Sequence, residues 1–302
     1  MTHPPKAAHA HADQLAELNA VLGKQLFFVI GCQKSGTTWV QNLLDGHPHV
    51  RCHGEAYFAP ILLPLLGQFA SVYNQRHKAG TDGDLTEQDV RFLFATTVGL
   101  AMARWTRGHE TVRAIGEKTP EHALCIPQLS QAFPDARFIH VIRDGRDVCV
   151  SGYHHNLRQS GQAFTQKFPT FERYVEYTVR QHWVPYVQHA RAAAADLGDR
   201  YLEVRYEDLH RAPEPHVTEM AAFVGVDTDT AAIEACIDAA SFDRRATGDA
   251  TGETKSAAFY RKGVVGDWAN EFDDAALATF NTFGGTLLQQ LGYATHPTAA
   301  AA

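Results

Sequence analysis

Residues 27 to 41 read FFVIGCQKSGTTWVQ, and this stretch constrains the fold more than any other part of the chain. Four apolar residues in succession give the pattern of a strand buried on both faces. The run stops at Gly31, and a helical pattern resumes at Thr37, with a lysine, a serine and two threonines packed around the break. A strand that ends in a glycine turn and restarts as a helix aims backbone N–H groups at an anion, at the positive end of the helix dipole. Gly31 and Gly36 permit the tight turn, and the N–H groups of residues 34 to 38 would face the anion. Lys34 adds a mobile charge, Ser35, Thr37 and Thr38 add hydroxyl donors, and Trp39 offers a flat face beside them. The loop differs from the common triphosphate loop, in which the lysine directly follows the second glycine and is itself followed by a hydroxyl on magnesium. Here the lysine precedes Gly36 by two residues, so the loop is built for another donor.

The same alternation recurs. Strands are predicted at 26–30, 112–116, 137–142 and 201–205, and helices at 37–46, 87–107, 121–132, 146–155, 170–196, 214–224, 229–239 and 273–291. An apolar segment at 56–69 and an irregular stretch at 241–269 complete the reading. Short apolar strands alternating with helices predict an α/β chain: a P-loop-like three-layer fold with a central parallel sheet flanked by helices. In such sheets the ligand sits outside the carboxyl ends of the strands. The 302 residues are expected to form a single domain, with residues 1–22 a mobile leader plus a short helix and 295–302 a frayed tail.

Composition removes several classes of partner. A net charge of −7 gives no general reason to expect nucleic acid, so any anion site must be local. Five cysteines without a CxxC pair argue against a disulfide framework or a zinc site and suit a reducing cytoplasm. The N-terminus lacks the pattern of a secretory signal, and the longest apolar run, AYFAPILLPLLGQF, is too short to span a bilayer and is read as a core or pocket segment. His9, His11, His154 and His155 are read as surface residues, and no metal is expected.

Two further stretches belong with the first. RFIHVI runs into RDGRDVCVSGYHH, which places Arg143 at the end of a strand and Ser151 about two turns into the next helix, able to share a phosphate. Near the C-terminus, YRKGVVGDW sets Arg261 and Lys262 beside Gly263 as a basic pincer open to a phosphate, with Trp268 as an anchor.

GCQKSGTTW, FIHVIRDGRDVCVS and YRKGVVGDW resemble, in order, the three nucleotide-binding stretches of the sulfotransferases that use 3′-phosphoadenosine-5′-phosphosulfate (PAPS). The resemblance runs from about residue 26 to 270 and mixes features of the cytosolic and the tyrosylprotein and carbohydrate branches. It implies that Lys34, Ser35, Gly36, Thr37 and Thr38 bind the 5′ side, with Trp39 beside the adenine. Arg143, Ser151, Arg261, Lys262 and Gly263 would hold the 3′-phosphate, and Tyr206 of YEDL would contact the adenine. Ser241 and Phe242 match an adenine-side pair, but Ala240 stands where a hydroxyl residue usually precedes it.

Sulfuryl transfer to a hydroxyl needs in-line geometry, stabilised charge on the moving group and a base for the proton. The cytosolic branch places a histidine two residues after a lysine, where GEKTPEH has Pro120; His122 lies two residues further on. Glu55, 21 residues after Lys34, matches the glutamate base of the other branch and is the preferred candidate over His122. The apolar run after it is expected to form a wall that raises its carboxyl pKa. Lys118, with Lys34, matches the lysine that steadies the sulfuryl oxygens.

The expected acceptor is a hydroxyl on a phenol, alcohol, lipid or carbohydrate, with residues 56–69 and AFTQKFPTFERY (163–174) lining an apolar pocket. The cytosolic branch forms homodimers through a motif overlapping the RKG stretch, from which DWANEFDD departs, leaving the oligomeric state open. Two other readings stand beside this one. A P-loop kinase or NTPase lacks GK[ST] and any magnesium-binding aspartate beyond Asp144, and a non-catalytic nucleotide-binding protein is opposed by the intact Lys34, Lys118 and Glu55.

Overall fold

The computed structural model describes residues 6–77, 83–240 and 264–294. Five strands, β1 (Gln25–Gly31), β2 (Val50–Gly54), β3 (Ala114–Lys118), β4 (Arg137–Ile142) and β5 (Tyr201–Arg205), form one sheet in the order β2-β3-β1-β4-β5. Every neighbouring pair is parallel. The helices are α1 (Lys6–Leu22), α2 (Thr37–Asp45), α3 (Leu63–Arg76), α4 (Glu87–Trp105), α5 (Ile126–Ala132), α6 (Gly145–Lys167) and α7 (Phe171–Thr178). They continue as α8 (Val184–Leu197), α9 (Tyr206–Arg211), α10 (Pro213–Phe223), α11 (Thr230–Ala239), α12 (Trp268–Glu271) and α13 (Asp274–Gln290).

The central strand explains the layers. Side chains alternate across a strand, so Phe27 and Val29 face one way and Phe28 and Ile30 the other, all fully buried. Phe27 and Val29 join a core with Val40 and Leu43 of α2, Met220 of α10 and Ile233 of α11. Phe28 and Ile30 join another with Phe94 of α4, Leu129 of α5, Val187 of α8 and Phe280 of α13.

Several elements differ from their sequence reading. β2 was not predicted: as an edge strand it buries only Val50 and Cys52 while His53 and Gly54 are exposed, so its apolar pattern is two residues long. β3 lies two residues beyond its predicted span because Glu117 and Lys118, polar in sequence, are buried. The helix predicted at 170–196 is α7 and α8 joined by a π-helical turn at Val179–Trp183, and that at 121–132 is a tight turn at Pro120–Leu124 followed by α5. α6 runs twelve residues beyond its predicted end, past a non-helical Gly161. Within residues 1–22, read as a mobile leader plus a short helix, the helix is 17 residues long and buries Leu18 and Val21. Leu18 and Leu22, one turn apart, lie over Gly99 of α4.

Each strand delivers one candidate residue or loop to the same end of the sheet. In spatial order these are Glu55 after β2, Lys118 at the end of β3, the Gly31–Gly36 loop after β1, Arg143 after β4 and Tyr206 after β5. Four inter-strand spacings set the two extremes ~19 Å apart.

Candidate active site

The loop after β1 needs both of its glycines. Gly31 has φ 148°, and a Cβ there would lie 2.5 Å from the Val141 carbonyl oxygen; Gly36 has φ 97°, and a Cβ would lie 2.5 Å from Cδ2 of Tyr206. Gly36 opens α2 without a side-chain cap, which leaves the first turn of the helix open to an external anion. Ser35 donates its N–H to the Cys32 carbonyl at 3.1 Å, while its Oγ is buried with no partner. A buried hydroxyl without an acceptor in a loop of this shape fits an anionic oxygen. Burial, reinforced by Arg158, Arg143 and Lys118 and opposed by Glu55, lowers the Lys34 pKa to about 8.

Arg143 joins this loop to the other end of the sheet. Its Nη1 donates to the Lys34 carbonyl at 3.2 Å and its Nη2 to the Val264 carbonyl at 3.3 Å. Its Nε is buried without a partner, and its guanidinium lies 4.3 Å from the Tyr206 ring centroid. Trp39 meets Tyr206 edge-on at 5.4 Å, so one aromatic cluster lies next to one cation. Asp147, 3.7 Å from Arg143, accepts from the backbone N–H of Gly266 at 2.8 Å and of Trp268 at 3.0 Å. Trp268 is buried with the Arg146 guanidinium 3.5 Å from its ring, so the predicted anchor holds the end of the third stretch against Arg143. Arg261, Lys262 and Gly263, like Ser241 and Phe242, lie outside the described residues. Asp144 is committed elsewhere: it caps α6 through the Arg146 N–H and pairs with Arg146 Nη2 at 2.7 Å.

At the β2–β3 side, Lys118 Nζ donates to Glu55 Oε1 at 2.6 Å. Lys118 is buried and Glu55 half exposed, so the carboxylate stands on a buried ammonium rather than against the expected apolar wall. Its backbone is pinned by the segment after β3. The N–H groups of Glu55, Ala56, Tyr57 and Ala59 donate to the Lys118 carbonyl (2.6 Å), Glu117 Oε1 (2.8 Å), Thr119 Oγ1 (3.2 Å) and His122 Nε2 (3.3 Å). Among the described residues, the non-glycine positions with positive φ are Lys34, Glu55 and Tyr57, so backbone strain is gathered at this site.

His122 differs from its reading as an alternative base. It is fully buried, its Nδ1 is 3.0 Å from buried Glu117, its Nε2 serves Ala59, and it contributes nothing to the cavity surface. The tight turn at Pro120–Leu124 directs the ring beneath β1, edge-on to Phe28 at 5.5 Å.

A cavity of about 790 Å³ runs along these strand ends. Lys34, Gly36, Thr37, Thr38 and Trp39 line it from the loop, and Glu55, Arg143, Ser151 and Tyr206 from the other elements. Ser35 and Lys118 are buried behind it. The α6 wall presents Ser151, His155, Gln159, Ala163 and Lys167, one residue per turn. His155, expected at the surface, lies one turn from Ser151 on the same cavity-lining face. Burial, with Lys34 and Arg158 beside it and Glu55 opposing, lowers its pKa to about 4, so it is a neutral imidazole at neutral pH. Of the apolar run 56–69 only Tyr57 lines the cavity; Ile61, Leu65 and Phe69 are more than half exposed. The aromatic stretch 163–174 does supply Phe164, Phe168 and Tyr174.

Residues 27–230 match the sulfotransferase family. The chain is 30% identical over 156 residues to a flavonol sulfotransferase-like protein of Flaveria bidentis, covering 46% of this chain and 50% of that protein. It is 26% identical over 216 residues to protein-tyrosine sulfotransferase A of Caenorhabditis elegans, covering 67% of this chain and 50% of that one. The chain thus spans half the length of both relatives. The fold is shared with mouse sulfotransferase SULT7A1 complexed with PAP, at a TM-score of 0.56 and 16% identity over 90% of this chain and 89% of that one. A sulfotransferase from Alicyclobacillus acidocaldarius aligns with a TM-score of 0.50 and 18% identity over 90% and 97% of the two chains.

Proposed function

The chain belongs to the sulfotransferase family, and we propose that it moves a sulfuryl group from PAPS to a hydroxyl of a small-molecule, lipid or glycan acceptor. The observation that carries this reading is the order of groups across the sheet: the Tyr206–Trp39–Arg143 cluster at one side, the anion loop in the middle and Glu55 with Lys118 at the other. That order supports a nucleotide lying across β5, β4 and β1 with its 5′ end on the loop and a hydroxyl approaching from β2.

Bound PAPS supplies the sulfuryl group: a bond forms from the acceptor oxygen to sulfur while the sulfur–oxygen bond to the 5′-phosphate breaks, releasing adenosine 3′,5′-bisphosphate (PAP). The loop N–H groups, Ser35, Thr37 and Thr38 hold the 5′ end. Arg143 and Ser151, with Arg261, Lys262 and Gly263, hold the 3′-phosphate, and the Trp39–Tyr206 pair lies beside the adenine. Glu55 takes the hydroxyl proton. Lys118 orients Glu55, and with Lys34 it offsets the charge on the sulfuryl oxygens. The role needs no metal, because the moving group carries one negative charge and these ammonium groups face it.

Among the described residues no helix is long and apolar enough to cross a membrane, and the five free cysteines suit the reducing cytoplasm proposed for this protein. The kinase reading gains nothing, since Asp144 is held by Arg146 and the α6 cap. Preference for PAP over ATP is the test that separates the two.

The lowered Lys34 pKa makes donor affinity pH-dependent. The protonated amine binds the anion; it is charged below about pH 8 and loses its charge as pH rises through that value. PAP affinity is expected to weaken above pH 8 by up to ~10-fold per pH unit. Calorimetry from pH 7 to 9.5 checks this, and a Lys34→Met variant is expected to show weak binding with a flat profile. A wild-type profile equally flat would remove Lys34 from the anion site.

A further inference from the structure

Beyond Glu55 and His155 the cavity changes character. The α6 face continues through Gln159 and Ala163 to Lys167, ~18 Å past His155 in a straight helix and less here because α6 breaks at Gly161. Aromatic rings line this end. Phe164, Phe168 and Tyr174 pack with centroids 5.2 to 5.3 Å apart, and Tyr177 follows 5.0 Å from Phe168. The Lys167 ammonium lies over them, 5.2 Å from the Phe168 centroid and 5.1 Å from that of Tyr177.

The charges at this end are one-sided. No carboxylate lines the cavity from Gln159 to His182, and among the described residues none forms an ion pair with Lys167. His182, whose ring lies 5.1 Å from Tyr177, faces the same space with a buried Nδ1 that has no hydrogen-bond partner. Burial, with Lys167 close by, holds its pKa below the ordinary histidine range against the opposing field of Glu121. Glu121 is itself engaged by Gln33 Nε2 at 2.6 Å and does not line the cavity. An adjoining groove shares Lys167, Phe168 and Tyr177 and adds Arg173 and Arg180 against the single carboxylate of Glu176.

We infer that the acceptor is an aromatic hydroxy acid or a close chemical equivalent: a flat apolar body whose hydroxyl meets Glu55 and whose carboxylate, at the far end, is held by Lys167 and His182. A neutral acceptor would fill the aromatic walls but leave Lys167 without an anion and His182 Nδ1 without a partner. A carboxylate satisfies both. This inference rests on the sulfotransferase reading and adds the acceptor class to it.

The test compares a series of ω-(4-hydroxyphenyl)alkanoates with their methyl esters, differing in charge but little in shape. Binding is measured on protein saturated with PAP, and turnover with PAPS. At the chain length that spans the cavity, the acid is expected to bind and turn over at least ~10-fold better than its ester. Lys167→Met and Lys167→Gln, both at an exposed position, are expected to bring the acid down to the level of the ester. Equal acids and esters throughout the series, or an acid preference that survives both substitutions, overturn the inference while PAP binding keeps the sulfotransferase reading in place. Failure of PAP to bind removes that reading and the inference with it.

Discussion

Glu55→Gln is expected to lower turnover at least ~100-fold while leaving PAP affinity within about twofold of the wild type, the pattern of a lost general base. Glutamine keeps the size of the side chain and its ability to accept a hydrogen bond from Lys118, but it cannot take a proton. The backbone brace is untouched, since the contacts that hold Glu55 at φ 61° are made by main-chain N–H groups to Lys118, Glu117, Thr119 and His122. The loss should therefore fall on kcat. Undiminished turnover would move the base elsewhere, and His155 rather than His122 would be next in line, because His155 lines the cavity and His122 is sealed beneath β1.

Lys118→Met is expected to reduce kcat by ~10²-fold or more, with donor affinity changed much less. Methionine retains most of the apolar stem but removes the ammonium that donates to Glu55 and that the proposal assigns to offsetting charge on the sulfuryl oxygens. Removing one partner of a buried pair usually strands a charge, at a cost of ~3–5 kcal/mol. Here the residue left behind, Glu55, is half exposed and can be hydrated, so the thermal midpoint should fall little. A kcat loss with near-native stability separates a role in the reaction from one in folding. Because the two residues act through one contact, the double variant Glu55→Gln/Lys118→Met is expected to lose far less than the product of the single losses. Multiplicative losses would mean that Lys118 works independently of Glu55.

The loop after β1 and the position of Arg143 are legible in the sequence for a physical reason. An anion loop is built from backbone, so glycine spacing and hydroxyl placement between a strand and a helix nearly specify it, and Arg143 follows from being the first residue after β4. The β2–β3 side and the α6 wall are less legible. β2 carries too short an apolar pattern to register as a strand, so Glu55 was placed by its distance from Lys34 and not by the strand that presents it. A predicted helix that ends at residue 155 hides His155 within the face that runs on to Lys167. Hydrophobicity alone places the apolar run after Glu55 in the pocket, yet its helical form turns Ile61, Leu65 and Phe69 outward. His122 shows the reverse error: a polar residue near the reacting centre in sequence can serve the scaffold, here as acceptor for the Ala59 N–H.

Calorimetric titration with PAP, with ATP and ADP run on the same sample, tests the central claim most directly. PAP is expected to bind at least ~30-fold more tightly than ATP, about 2 kcal/mol, the worth of a 3′-phosphate held by charge-assisted hydrogen bonds. Preference for ATP, or no binding of any of the three, would contradict the account.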